Sequence, residues 1–282
     1  MSTDHILYLT SSGNITYFPE NNPARFVNRL PSPIVLENNT EYEVGLVSIL
    51  YPDQYYGILA NNELFYMTIY TDQKNIGIST LPVKFHQNVL AGDLEKMVKI
   101  TNNLLLSHLK VYYGDRFKTL FPLGKVLQWN EDERKVEILC TNKNSPKKLI
   151  GDIKSISLKL NSGLAKVFGF KETVTYNLFK NKQGSNSLHK SSVPPSPRCG
   201  VDYLYLYTDI IQPSNFGGQL VNILDCFSLQ NGGNRGIHNS IYKPLNTHFL
   251  DQISIIVTDQ EARPIYFVED TTLTCVIHVR PK

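Results

Sequence analysis

Apolar and polar residues alternate most cleanly at the end of the chain. In Gln252 to Thr258, Ile253, Ile255 and Val257 share one face, opposite Gln252, Ser254 and Thr258. In Leu273 to Arg280, Leu273, Cys275, Ile277 and Val279 line one face, opposite Thr274, Val276, His278 and Arg280. Alternation with a period of two marks half-buried strands. The polar stretch between them, Asp259-Gln260-Glu261-Ala262-Arg263-Pro264, is a turn. A chain that closes on a strand needs something earlier to pair with it.

The earlier candidates begin with Ile6 to Leu9, followed by the turn-forming Ser11-Ser12-Gly13-Asn14, and Phe26 to Leu30, which Pro31 and Pro33 are expected to stop. Tyr42 to Leu50 is the strongest strand of the N-terminal half, with Val44, Leu46, Ser48 and Leu50 on one face and Glu43, Gly45, Val47 and Ile49 on the other. Apolar on both faces past Glu43, it belongs in the middle of a packed structure. Leu64 to Tyr70 repeats that pattern, and Ile76 to Phe85 is a weaker strand interrupted by Pro82.

From Asp93 to about Leu109 the period changes. Leu94, Met97, Val98, Thr101, Leu104, Leu105 and His108 recur at helical spacing, Asp93 suits the N-terminal end and Gly114 stops the segment. Val126 to Trp129 and Val136 to Cys140 flank the acidic loop Asn130 to Arg134 as a hairpin, and Ser155 to Leu160 adds a strand. Asn161 then caps a short helix, Ser162 to Phe168, with Gly169 just past its end. Lys180 to Gly200, rich in Ser, Asn, Lys and Pro, reads as a mobile loop. Val201 to Thr208 alternates Leu204 and Leu206 with Tyr203, Tyr205 and Tyr207; the leucines face the core and leave a tyrosine ladder for a fold element or a neighbouring chain to cover. Leu220 to Leu229 is a further strand and Asn231 to Gly236 a loop. The order is strands, a helix-bearing insertion, then strands again.

With 282 residues the chain is long enough to bury a sizeable core, whether in one large all-β domain or two small ones. No apolar run approaches the roughly 20 residues that span a bilayer. The start, Met1-Ser2-Thr3-Asp4-His5, lacks the basic and apolar regions of a secretory signal, so the sequons at Asn14 and Asn38 are expected to stay unglycosylated. The four cysteines, Cys140, Cys199, Cys226 and Cys275, have no close spacing and are expected as reduced thiols. A net charge of +3 is too small and too evenly spread to indicate nucleic acid; the most basic stretch, Lys143 to Lys154, reads as a solvated loop. Sixteen tyrosines and thirteen phenylalanines against one tryptophan suit β-sheets and their interfaces.

Catalysis needs a constellation, and each fragment here lacks its partners. The seven histidines form no HxH or HExxH pair. Cys199 with His189 would be a thiol nucleophile and base, but both lie in or beside the Lys180 to Gly200 loop, where a catalytic geometry is not held. Gly217-Gly218 and Gly232-Gly233 do not follow a phosphate-loop pattern, and Asp209, Asp225, Asp251 and Asp259 sit at strand ends as turn formers. No catalytic, cofactor-binding or metal-ligating residue is assigned, no cofactor is expected, and the chain reads as non-enzymatic.

Several stretches in order resemble the minor capsid (penton) protein of Polinton or Maverick elements and their adintovirus relatives. They are Phe26-Val27-Asn28-Arg29-Leu30-Pro31, Tyr42 to Pro52, Leu164 to Phe170, Leu204 to Pro213, Tyr242-Lys243-Pro244-Leu245, and Ile253 to Asp259 through Pro264-Ile265-Tyr266-Phe267 to the terminal strand. Where relatives tend to place a glycine before the Pro-Ile motif, this chain has Glu261-Ala262-Arg263, and its Ile277-His278-Val279-Arg280 departs from the usual His-Phe-Arg. The resemblance implies an all-β fold, a single jelly-roll β-sandwich over residues 1–282 closed from its two ends, with the helix-containing insertion at about 86–200. It further implies a homopentamer at the vertex of an icosahedral virion, beside a double jelly-roll major capsid protein, with no membrane span and no specific nucleic acid. Jelly rolls also occur in lectins. The alternative is therefore a ligand- or carbohydrate-binding β-sandwich, with Tyr55, Tyr56 and Tyr203 stacking on sugars.

Overall fold

The computed structural model describes residues 4–58, 63–71, 79–84, 88–114, 121, 124–139, 153–180, 188–196, 198–229, 234–236 and 240–282. In chain order the strands and helices begin with β1 (His5–Thr10), β2 (Arg25–Val35), β3 (Tyr42–Leu50), β4 (Tyr56–Ile58), β5 (Glu63–Thr71), β6 (Ser79–Lys84), β7 (Val89–Leu90) and α1 (Leu94–Tyr113). There follow β8 (Leu127–Asn130), β9 (Lys135–Ile138), β10 (Ile153–Leu160), α2 (Ser162–Phe168), β11 (Thr175–Lys180) and β12 (His189–Lys190). The last group is β13 (Tyr203–Thr208), β14 (Ser214–Phe216), β15 (Gln219–Val221), β16 (Ile223–Ser228), β17 (Asn234–Gly236), β18 (Lys243–Pro244), β19 (Phe249–Thr258) and β20 (Thr274–Pro281). These pack as two compact units, one formed by residues 1–56 with 201–282 and the other by 57–200.

The first unit is a sandwich of two antiparallel sheets. One has the order β1-β20-β3, with β17 and β18 along the far edge of β3; the other has the order β16-β13-β19-β2. Early and late strands interleave, and the closing strand β20 lies between β1 and β3. This is the interleaving of a jelly roll. Ile253, Ile255 and Val257 of β19, Cys275, Ile277 and Val279 of β20, and Leu204 and Leu206 of β13 are all fully buried between the sheets, as their alternation requires.

In β3 and β2 the departure from the pattern read in the sequence is a bulge. In β3 the register with β20 shifts between Val276, paired with Ser48, and Ile277, paired with Leu46. The extra residue, Val47, changes the phase. Val44, Leu46 and Ile49 are therefore buried and Leu50 is 51% exposed, whereas unbroken alternation puts Leu50 with Val44. In β2 the prolines do not end the strand. Arg29 pairs with Gln252 and Ile34 with Leu250, so Pro31 and Pro33 fall in a bulge on an edge strand, where a missing N–H is tolerated. The expected strand Leu220 to Leu229 is divided at Asn222, whose carbonyl accepts from Thr208 N at 3.1 Å and whose Nδ2 donates to Ile211 O at 3.2 Å.

The second unit has its own core, built on Phe65, Met67, Met97, Leu105, Val136, Leu158 and Phe168. Its sheets have the orders β11-β10-β5-β6 and β12-β9-β8. It opens at Gly57, ahead of the residue 86 read from the sequence, because β5 pairs with β10 and β6 and, among the described residues, with no strand of the jelly roll. Helix α1 starts on the Asp93 side chain, which accepts from Lys96 N at 2.8 Å, and buries Leu94, Met97, Val98, Thr101, Asn102, Leu105 and Leu109. Asn102 fastens the helix to β8: Oδ1 accepts from Val126 N at 2.9 Å and Leu127 N at 2.8 Å, and Nδ2 donates to Leu127 O. Helix α2 has the expected Asn161 cap and Gly169 at φ 75°.

The stretch read as a mobile loop is, over its described residues, tied down. Residues 188–196 are held by β12 pairing with β9, by Ser191 N to Val136 O at 2.9 Å, by Ser192 N to Gly169 O at 2.9 Å and by Ser196 N to Val167 O at 2.9 Å. Low hydrophobicity did not predict disorder here because backbone hydrogen bonds to strand β9 and the end of α2 hold the segment. Residues 181–187, Gly232-Gly233, Cys140, and the basic stretch from Lys143 to Asp152 lie outside the described residues.

Candidate assembly surface

Cys199, His189 and Gly217-Gly218 are placed in packing and a turn. Cys199 is set against the Met97 thioether, Sγ to Sδ 4.0 Å, and a Cβ on Gly57 would fall 2.0 Å from its sulfur. Burial pushes this thiol up to about 12, the reverse of what a nucleophile needs. The His189 ring packs edge-on to Tyr176 at 5.4 Å with Nε2 buried. Gly217 and Gly218, at φ 60° and 85°, are the two-residue turn of the β14–β15 hairpin, a turn that needs positive φ at both positions.

The aspartates have structural partners. Asp209 Oδ1 accepts from Ser254 N at 2.9 Å, Asp225 Oδ1 from Cys226 N at 2.8 Å, and Asp251 lies 3.8 Å from Arg29. Asp259, 3% exposed, builds the turn before the last strand, accepting from Glu261 N, Arg263 N and Arg263 Nε at 2.8, 2.9 and 2.7 Å. Among the described residues no group of three or more His, Cys, Asp or Glu is placed to hold a metal ion. Among them, too, no helix is long and apolar enough to cross a membrane.

What the jelly roll does present is two differently furnished outer sheet faces. On the second sheet the tyrosine ladder stands outward, Tyr203 50% exposed and Tyr205 and Tyr207 half-buried, while Leu204 and Leu206 point inward. The β14–β15 hairpin reaches the ladder through Phe216, edge-on to Tyr205 at 5.7 Å and still 51% exposed, and Ile256 of β19 stands opposite Tyr207. Desolvation first, then the neighbouring Cys226, Tyr207 and Tyr203, raises the Tyr205 phenol. Of the proposed sugar platform, Tyr55 is buried, bridged to Phe267, and Tyr56 is half-buried; only Tyr203 is exposed, so those three do not form a stacking surface.

On the outer face of the first sheet the Arg280 guanidinium lies 3.5 Å from the Tyr242 ring centroid, and its Nε donates to Glu43 Oε1 at 2.7 Å. Tyr242 Oη meets His278 Nδ1 at 2.9 Å, and His278 Nε2 lies 3.4 Å from Asp4. Gly45 leaves room for the Tyr242 ring, since a Cβ there would be 3.1 Å from it. Alternation already placed His278 and Arg280 outward. It carried no sign of Tyr242, whose short flanking strand β18 is set by pairing to β3 and by Gln212 N donating to Pro244 O at 2.9 Å. Beyond this cluster the face becomes apolar, with Ile6, Tyr8 and Leu50 exposed by 60, 74 and 51%.

No protein family and no curated protein matches the sequence. Among solved structures, the chain is similar to the mavirus penton protein at 11% identity and a TM-score of 0.51, over 99% of this chain and 100% of that one. The fold is thus penton-like, an all-β jelly roll with a helix-containing insertion.

Proposed function

We propose that this chain is a structural virion protein, a penton-type minor capsid protein that forms the pentameric vertex of an icosahedral capsid. One observation carries the reading: the likeness to the mavirus penton protein spans essentially the whole of both chains, insertion included. A shared jelly roll alone would be weak support, since that sandwich hosts many functions. A likeness that extends through both units is more demanding.

The surface is in keeping with this. A ring uses heterologous contacts, two different patches on each subunit, and the two outer sheet faces differ in composition as such contacts require. Tyrosine and arginine are the residues that interfaces favour. The expected partners are copies of this chain and a double jelly-roll major capsid protein, in an element of the Polinton or Maverick type, with the virion as location and no catalysis. Native mass measurement of the purified protein, alone and with the major capsid protein, tests it. Five-subunit rings are expected; a monomer at every concentration and with the partner present overturns the proposal.

A further inference from the structure

Among the described residues, strand β1 is the outer strand of its sheet and pairs only with β20. Ser11 N donates to Leu273 O at 2.9 Å in the continuation of this ladder, which fixes its parity. Odd-numbered residues of the stretch bond to β20, and even-numbered ones turn their backbone groups to the open edge. At Thr10 that edge is closed by a side chain: Asn28 Oδ1 accepts from Thr10 N at 2.7 Å and Asn28 Nδ2 donates to Thr10 O at 3.0 Å. Ile6 and Tyr8 have no such cap among the described residues, and they are the residues of β1 whose side chains are most exposed, 60% and 74%.

Open strand edges are usually defended by lysine, proline or an inward charge. The β1 sequence, His-Ile-Leu-Tyr-Leu-Thr, has none of these. It is also self-complementary. A two-fold axis through Leu7 sets Ile6 opposite Tyr8 of a second copy, and Tyr8 opposite its Ile6. Each such pair can exchange two backbone hydrogen bonds, with a β-branched residue beside an aromatic on the same face. Asp4 then meets Thr10 of the copy, whose backbone Asn28 already holds, so the ladder stops there. A two-fold at Tyr8 would force Ile6 onto that capped Thr10, and one at Ile6 would set Tyr8 against Asp4. Of the three, only the axis at Leu7 sets the two exposed apolar side chains, Ile6 and Tyr8, against each other.

We propose that β1 is a self-association edge, pairing antiparallel with β1 of a second copy about Leu7. This contact is isologous and so distinct from the heterologous contacts of a ring. It adds a further step to whatever species forms first, monomer or ring.

Two experiments test it. Sedimentation of the full chain over a range of concentrations is expected to show a further association step that Tyr8→Lys removes, with the circular dichroism spectrum unchanged because Tyr8 is an outward side chain. In a background with Cys140 and Cys226 changed to Ser, Ile6→Cys and Tyr8→Cys proteins mixed under mild oxidation should cross-link to each other severalfold more than either does alone. Loss of ring formation would bear on the vertex role and leave this step measurable on monomers. A wild-type protein with no further step, a step that survives Tyr8→Lys, or cross-linking no greater in the mixture than in the single proteins overturns the proposal.

Discussion

Ala262 holds φ at 58°, in the left-handed region that favours glycine, inside the turn that the buried Asp259 carboxylate organises. The turn is kept because Asp259 satisfies two backbone N–H groups and the Arg263 side chain at once, which outweighs the local strain. Ala262→Gly should therefore stabilise the jelly-roll unit by about 1 kcal/mol, the relief of left-handed strain less the added freedom of the unfolded chain. Ala262→Val should destabilise it, because a β-branched residue tolerates positive φ least. Urea unfolding followed at the jelly-roll transition measures both; an unchanged midpoint for Gly would mean that the alanine carries no strain. Residue-scale burial was legible wherever side chains alternate between two sheets, as in β19 and β20. It was not legible at Leu50, because nothing in Tyr42 to Leu50 marks Val47 as an extra residue until its partner strand is in place.

Among elements, the clearest difference between sequence and structure is Leu188 to Gly200. Its composition reads as unstructured, yet two residues of it complete a sheet with β9 and β8. Lys190 also reaches Glu133 of the β8–β9 turn in an ion pair at 2.5 Å, and this bond is the main cause that lowers the Glu133 carboxyl below its ordinary range and raises Lys190. A lowered folded value means that the bond supports β12 fully above the ordinary carboxylate range and loses that support as pH falls through the lowered value. The pair is exposed and its effect small. Amide exchange at His189 to Ser191 should quicken in that acid window relative to β9, and Lys190→Met should erase the step. An identical acid step in the variant would assign it to another group.

Asn102 is the other element-scale case. A polar residue on a helix reads as solvent-facing, so its role as the clamp between α1 and β8 had no signal. Asn102→Ala leaves the N–H groups of Val126 and Leu127 and the Leu127 carbonyl, all in buried residues, without that partner. At roughly 1 to 3 kcal/mol for each unsatisfied buried group, the loss should be on the order of 3 kcal/mol or more in the stability of the second unit. Denaturant unfolding of that unit checks it, and a change below about 1 kcal/mol would show that water takes the place of the amide.

At the scale of the molecule, the pattern made legible strands early and late, a helix-bearing insertion between them and a last strand in need of a distant partner, while the jelly roll itself was what the resemblance implied. The extent of the insertion was not, because Leu64 to Tyr70 is apolar on both faces and its sequence reads equally well as a central strand of the roll. The structure gives β5 to the second unit, between β10 and β6, where Phe65, Met67 and Ile69 join a core drawn wholly from residues 57–200. A continuous segment of about this length that buries its own apolar side chains meets the requirement for independent folding. Residues 57–200 expressed alone should give a cooperative unfolding transition and dispersed amide resonances. The complementary test joins Tyr56 to Val201 through a flexible linker, and the remaining strands should still close, because the two sheets of the first unit take every one of their strands from residues 5–50 and 203–281. If the excised segment is unfolded while the linked jelly roll folds, the insertion depends on the roll for its stability; if both fold, the units are independent, and the interface residues of an assembly can be assigned to one unit at a time.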